Sequence, residues 1–128
     1  MKTKTSLIFV YNLKSSPLDQ IIDEIHRRVA PHTYPCRLCF ITYDTLGMKK
    51  EWKDFLNNLP YPIKFFHKDQ FLQAYQGTKF KSFPAIFKEE GEKLTQIVDV
   101  EEILPLKDLS ELKSLVLARV WSGKGRSK

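Results

Sequence analysis

Apolar residues recur along the chain with two periods. Ser6 to Tyr11 is a compact apolar, β-branched run and reads as a buried strand. Ser16-Pro17-Leu18-Asp19 opens a helix. Ser16 can cap it, Pro17 suits its first position, and Asp19 completes a capping-box-like pattern. Leu18, Ile21, Ile22, Ile25 and Val29 then share one helical face, and Pro31 ends the run. Leu38 to Tyr43, apolar and β-branched, predicts a second strand. After Gly47, the spacing of Met48, Trp52, Phe55, Leu56 and Leu59 predicts a helix closed by Pro60 and Pro62.

The second half continues the alternation. Ile63 to Phe66 is a short strand. Asp69 caps a helix carrying Phe71, Leu72 and Tyr75, which Gly77 ends. Pro84 to Lys88 and Leu94 to Val98 read as two strands joined through Glu89-Glu90-Gly91-Glu92, a hairpin signal. Asp108 and Glu111 form another capping-box-like pair. Leu109, Leu112, Leu115, Val116 and Val120 give the last helix its apolar face. The order is β-α-β-α-β-α-β-β-α. It predicts a single α/β domain over residues 1–121, with a mixed central sheet and helices on both faces.

Composition sets bounds on this picture. The 128 residues suffice for one domain, and 42% hydrophobic content supports a buried core. The formal charge is +6, but its position matters more than its size. Setting aside Lys2, Lys4, Arg119, Lys124, Arg126 and Lys128 leaves positions 5–118 with equal numbers of basic and acidic residues. A folded body built for a phosphate backbone carries the surplus itself, so a specific nucleic-acid partner is not expected. Within that neutral body residues 49 to 81 hold seven Lys and three acids, whereas 89 to 111 hold eight acids and two Lys. Separate segments of opposite sign orient partners. Ser122 to Lys128 has nothing to bury and reads as a flexible basic tail. The five apolar residues from Leu7 to Tyr11 are too few for a signal peptide, and no run spans a bilayer. A cytoplasmic location without membrane insertion is the expectation.

The passage Phe83-Pro84-Ala85-Ile86-Phe87, an acidic glycine turn, then Leu94-Thr95-Gln96-Ile97-Val98, followed by a final helix, resembles the thioredoxin-like superfamily. With the element order, the resemblance covers residues 5 to 121. It implies that Pro84 is the superfamily's cis-proline, at the head of a hairpin strand where a missing N–H is tolerated. It also implies a Cys-x-x-Cys at the start of the helix after the second strand. Cys36-Arg37-Leu38-Cys39 matches that spacing. Its placement differs, because Cys39 opens the predicted second strand and the expected loop, Asp44-Thr45-Leu46-Gly47, has no thiol. A six-residue strand would put the thiols about 20 Å from Pro84. Starting a helix at Cys36 instead would fill it with Phe40, Ile41, Thr42 and Tyr43, poor helix formers.

Three kinds of chemistry follow. Cys36 and Cys39 are candidate redox thiols, with Cys36 the attacking one and Arg37 favouring its thiolate. In an extended chain their Cα atoms lie roughly 10 Å apart, so a disulfide needs a turn. His32, Cys36 and Cys39 offer three zinc ligands, with His26 or His67 as a fourth; zinc is the one cofactor these residues suggest. The third reading is a non-enzymatic adaptor for a protein partner, with Phe83, Pro84, Asp44, Thr45, Gly47 and Met48 as its contact surface. Lys49, Lys50 and Lys53 in the first turns of the second helix also suggest an anion. No phosphate-loop motif occurs, and Gly123-Lys124-Gly125 lacks the strand and helix such a loop requires. The adaptor reading ranks first, redox second and zinc third.

Overall fold

The first apolar run forms strand β1 (Thr5–Tyr11), buried on both sides from Ser6 onward. It is described within a computed structural model that covers residues 5–12, 18, 21, 22, 25, 29, 37–44, 47–122 and 126–127. A strand with neighbours on both edges and packing on both faces needs a continuous apolar run, which explains its composition. β1 pairs in parallel with β4 (Ile63–His67) and antiparallel with β5 (Ala85–Glu90). β5 turns back through Gly91, at φ +64°, into β6 (Lys93–Val98). This is the hairpin expected from the acidic glycine turn. β7 (Arg126–Ser127) adds a two-residue pair to β6, within the stretch expected to fray. The sheet order is β4-β1-β5-β6-β7, mixed and open.

Side chains alternate across this sheet and define two apolar layers. Leu7, Phe9, Tyr11, Ile86 and, where the β5–β6 register shifts by a bulge, both Ile97 and Val98 face one cluster; Ile8, Val10, Ala85, Phe87 and Leu94 face the other. The first layer is covered by helices α1 (Arg37–Thr42), α2 (Lys50–Asn57) and α5 (Leu109–Ser122), through Leu38, Ile41, Trp52, Leu56, Leu112 and Val116. The second is covered by α3 (Lys68–Ala74), through Phe71, and by Phe80 and Phe83 from the segment after it. The α/β class with a mixed sheet is therefore as expected.

The predicted second strand is not a strand. Residues Arg37–Thr42 form α1, and only Tyr43–Asp44 (β2) is extended, pairing with Gly47–Met48 (β3). Leu38, Ile41 and Thr42 are buried at helical spacing, i, i+3 and i+4. The Thr42 hydroxyl donates to the Leu38 carbonyl at 2.8 Å, a bond that lets a β-branched residue end a helix without an unsatisfied oxygen. Burial on one helical face outweighed strand propensity. α2 correspondingly starts at Lys50, later than the sequence suggests, because Met48 is held in the β2–β3 pair and Lys49 is its extended N-cap.

Other boundaries follow local chemistry. The N-cap of α3 is His67 and not Asp69, and the His67 N–H donates to Gln70 Oε1 at 3.0 Å. A short helix absent from the sequence reading, α4 (Val100–Ile103), is capped by Asp99. Asp99 Oδ1 accepts from the Glu102 N–H at 3.0 Å, and Glu102 Oε1 accepts from the Asp99 N–H at 3.1 Å. The expected Asp108–Glu111 box is present, with the Glu111 N–H donating to Asp108 Oδ1 at 3.0 Å. Arg119, grouped with the terminal charges in the sequence, belongs to the body. It donates to the Ile97 carbonyl at 2.9 Å and pairs with the Glu102 carboxylate, tying α5 to β6 and α4.

Leu18, Ile21, Ile22, Ile25 and Val29 are helical, as their spacing predicts. They are nevertheless exposed, not core. Among the described residues no helix is long and apolar enough to cross a membrane.

Candidate functional site

β4 is an edge strand, and its sequence Ile-Lys-Phe-Phe-His must send consecutive aromatic residues to opposite faces. Phe66 turns into the second layer, edge-on to Phe71. Phe65 turns to the first layer, stacks on Tyr11 at 6.0 Å and 14°, tilts against Phe9 at 5.7 Å, and stays 39% exposed. Beside it lies a groove of about 390 Å³. Ile63 and Phe65 form its floor on the strand side. Leu56, Lys53 and Asn57 of α2 form the opposite wall, and Met48 and the Leu59–Pro62 connection complete it.

The groove exists because α2 is anchored at one place. Trp52 is fully buried, edge-on to Phe9 at 5.6 Å and stacked on Phe55 at 5.5 Å. Its Nε1 has no hydrogen-bond partner among the described residues. Leu56, one turn later, is buried as well, which brings Lys53 and Asn57 to the rim. The lining offers aromatic and aliphatic walls, one ammonium and one amide. Tyr61 adds a phenol, so the described lining is an apolar surface with a few polar groups, as binding clefts have.

The predicted contact surface is not assembled in one place. Phe83 and Pro84 are buried, and the Phe83 ring packs edge-on against Phe71 at 5.6 Å in the second layer. Met48 packs on the first layer and lines the groove. The sheet stands between them. Asp44 and Gly47 are partners in the β2–β3 pair, and Thr45 lies outside the described residues. The Phe83–Pro84 bond is cis and immediately precedes β5.

Cys39 lies in α1, not at the head of a strand; Cys36, His32 and His26 lie outside the described residues. Among the described residues no three His, Cys, Asp or Glu side chains are grouped to hold a metal. Two of the three lysines expected near an anion have other surroundings. Lys50 pairs with Asp54 at 2.7 Å, which raises its pKa, and Lys53 lines the groove. The two oppositely charged segments are partly joined within the fold. Lys64 meets Glu89 at 3.2 Å. A separate ion pair, not between those segments, joins Glu51 to Lys113 at 2.7 Å.

Glu89 also accepts from the Tyr75 hydroxyl at 2.8 Å. Burial, then this bond and the carboxylate's charge, raise the Tyr75 pKa well beyond the ordinary phenol range. A smaller cavity of about 140 Å³ sits beside Tyr75, bounded by Gly77, Thr78, Glu92 and Leu94. Sequence reasoning named Met48 as a contact residue but set Leu56 and Leu59 on a helix face and Ile63 and Phe65 in a strand, and so did not bring them together as a groove. The available signal was Phe65-Phe66, a pair that cannot be buried on one face of a strand. Comparison with family models, with curated proteins and with solved structures gives no match to this chain.

Proposed function

We propose that this chain is a divergent thioredoxin-like domain that works as a non-enzymatic binding module for a protein partner. The observation that carries the binding role is the groove beside β4, an open edge strand with Phe65 exposed in it. An extended peptide laid along β4 gains main-chain hydrogen bonds, and alternate side chains enter the groove between Phe65, Met48 and Leu59. Support for the thioredoxin-like reading comes from the parallel β1–β4 pair continued by the β5–β6 hairpin, with Pro84 at its head and α5 behind it. The contact surface moves accordingly from Phe83 and Pro84 to the groove, and of the expected residues Met48 remains.

The test is selection from a displayed library of extended peptides, with affinities measured for the winners. Phe65→Ala and Met48→Ala weaken capture about ten-fold or more, as loss of a central apolar contact does. The Cys36→Ser, Cys39→Ser double variant binds as the wild type. Unchanged binding by both groove variants, or loss in the cysteine variant alone, overturns the reading.

Thiol–disulfide chemistry is the second reading, favoured by one observation. The helical backbone over Arg37–Cys39 advances ~1.5 Å per residue in place of the ~3.3 Å of a strand, which removes the distance objection over that stretch. In this reading Cys36 and Cys39 join in one disulfide, passing two electrons and two protons to an oxidised thiol partner. Rapid alkylation of Cys36 near neutral pH and a reversible Cys36–Cys39 disulfide support it; slow labelling of both thiols excludes it.

A further inference from the structure

Among the described residues eight large hydrophobic side chains are exposed, and five of them are the helical residues Leu18, Ile21, Ile22, Ile25 and Val29. They are between 53% and 77% exposed. Among the described residues the central strands β1 and β5 offer this stripe no open face. Leu7 to Val10 of β1 and Ala85 to Phe87 of β5 are completely buried, in clusters whose described members do not include the stripe. We propose that the stripe is a self-association surface, and that its occupant is the same stripe of a second copy of this chain, packed antiparallel about a two-fold axis.

Spacing, area and charge support that choice. Leu18, Ile22, Ile25 and Val29 follow one another at intervals of four, three and four, the seam of a helix pair, with Ile21 beside it. Each side chain offers on the order of 100 Å² of apolar surface, so the stripe amounts to about 500 Å². That is the size of the largest apolar patch an isolated monomer exposes, about 300–600 Å², which is commonly a functional one. Two stripes together bury about 1,000 Å², the lower bound for a specific interface, so the dimer is weak and reversible. Charge sets the direction. Along the sequence Asp19, Asp23 and Glu24 precede Ile25, whereas Arg27 and Arg28 follow it. An antiparallel pair centred on the seam, 18 facing 29 and 22 facing 25, sets Asp19 of each copy opposite Arg28 of the other, while Asp23 and Glu24 fall at the axis, where either direction sets acid beside acid; a parallel pair sets Arg28 against Arg28.

Sedimentation equilibrium of the full chain, at about 5 to 500 µM, tests this directly, because interfaces of this size dissociate in that range. The wild type shifts from monomer to dimer. Ile22→Glu/Ile25→Glu remains monomeric with the melting temperature of the dilute wild type, since both side chains face solvent in the monomer. Arg27→Glu/Arg28→Glu weakens the dimer about ten-fold, whereas a parallel pair exchanges one like-charge contact for another and loses nothing. Three results overturn the proposal: a wild type that stays monomeric throughout, a glutamate variant that still dimerises, or a glutamate variant whose melting temperature falls while the wild type is monomeric. The last identifies the stripe as packed within its own chain.

Discussion

Phe83 separates the two views of this molecule most sharply, because the sequence reads it as a contact residue and the fold buries it. Its side chain is 7% exposed and its ring meets Phe71 edge-on at 5.6 Å. Phe71 in turn stacks on Phe87 at 4.9 Å, and Phe80 tilts against Phe87 at 5.0 Å. Phe83→Ala therefore removes one ring from a cluster of rings. Neighbours held by β5 and α3 relax little into the space, so the lost transfer energy and the residual cavity add. The expected cost is about 3.5 kcal/mol, with the ring–ring geometry included. For 128 residues the unfolding entropy is about 0.27 kcal/mol/K, so the melting temperature falls by about 13 °C. Phe83→Leu keeps most of the volume and costs less than about 1.5 kcal/mol. Equilibrium unfolding in urea, followed by far-ultraviolet circular dichroism at one dilute concentration, measures both. A Phe83→Ala cost below about 1 kcal/mol, the level of an ordinary surface change, refutes the burial argument and returns Phe83 to the contact surface.

Three further substitutions probe other parts of the frame. Gly77 has φ +83° and a Cβ there meets nothing within 4 Å, so Gly77→Ala costs about 1 kcal/mol through the backbone alone, measurable as a lower urea midpoint at constant slope. Asp99→Ala removes the cap of α4 and costs about 1 kcal/mol, while Asp99→Asn, which still accepts from the Glu102 N–H, stays close to wild type. Tyr75→Phe loses the bond to Glu89 and costs about 1 kcal/mol at neutral pH, kept small by partial exposure. Because folding raises the Tyr75 pKa above its ordinary 10.0, the folded chain keeps a proton that the unfolded chain releases. The stabilisation is complete below pH 10 and is lost as pH rises above it. The gap between wild type and Tyr75→Phe must therefore narrow in alkaline urea titrations; a gap that widens there contradicts the assignment.

Much of the frame was legible because the segments concerned satisfy one constraint at a time. β1, the β5–β6 hairpin and the capped α5 have local patterns that agree with their surroundings. Residues 38–42 do not: Leu-Cys-Phe-Ile-Thr has strand composition and helical burial, and a short apolar run fits both. Deciding between them requires knowing that Leu38 and Ile41 share a layer with Phe9 and Trp52. Phe83 was more readable than the resemblance suggested. Phe83, Ala85 and Phe87 are spaced at two and fall in one layer, with Ile86 in the other, so the strand period alone points Phe83 inward. The groove is the opposite case. Met48, Leu56, Tyr61 and Phe65 come together only through the register of β4 on β1. No local spacing carries that register. The stripe from Leu18 to Val29 was correctly read as one helical face; pattern reports that a face is apolar and leaves open which molecule covers it.

The edges of the sheet indicate how such a groove remains usable. An open strand edge templates pairing with any extended chain, and folded proteins restrict it with short strands and charges. Here the two edges differ. β6 is capped by β7, whereas β4 pairs only on its β1 side among the described residues. β4 is five residues long, and Lys64 and Lys68 flank its two aromatics in sequence. Lys64 is held by Glu89 and Lys68 Nζ donates to Asn12 Oδ1 at 3.2 Å, so each cation has a fixed partner. A short edge bordered by anchored cations disfavours indiscriminate strand pairing and basic peptides, and leaves Phe65 and the groove to reward a partner with apolar side chains at alternate positions. Exposure of Phe65 without such flanking charges would be an aggregation hazard; exposure within them is consistent with the selective edge proposed above.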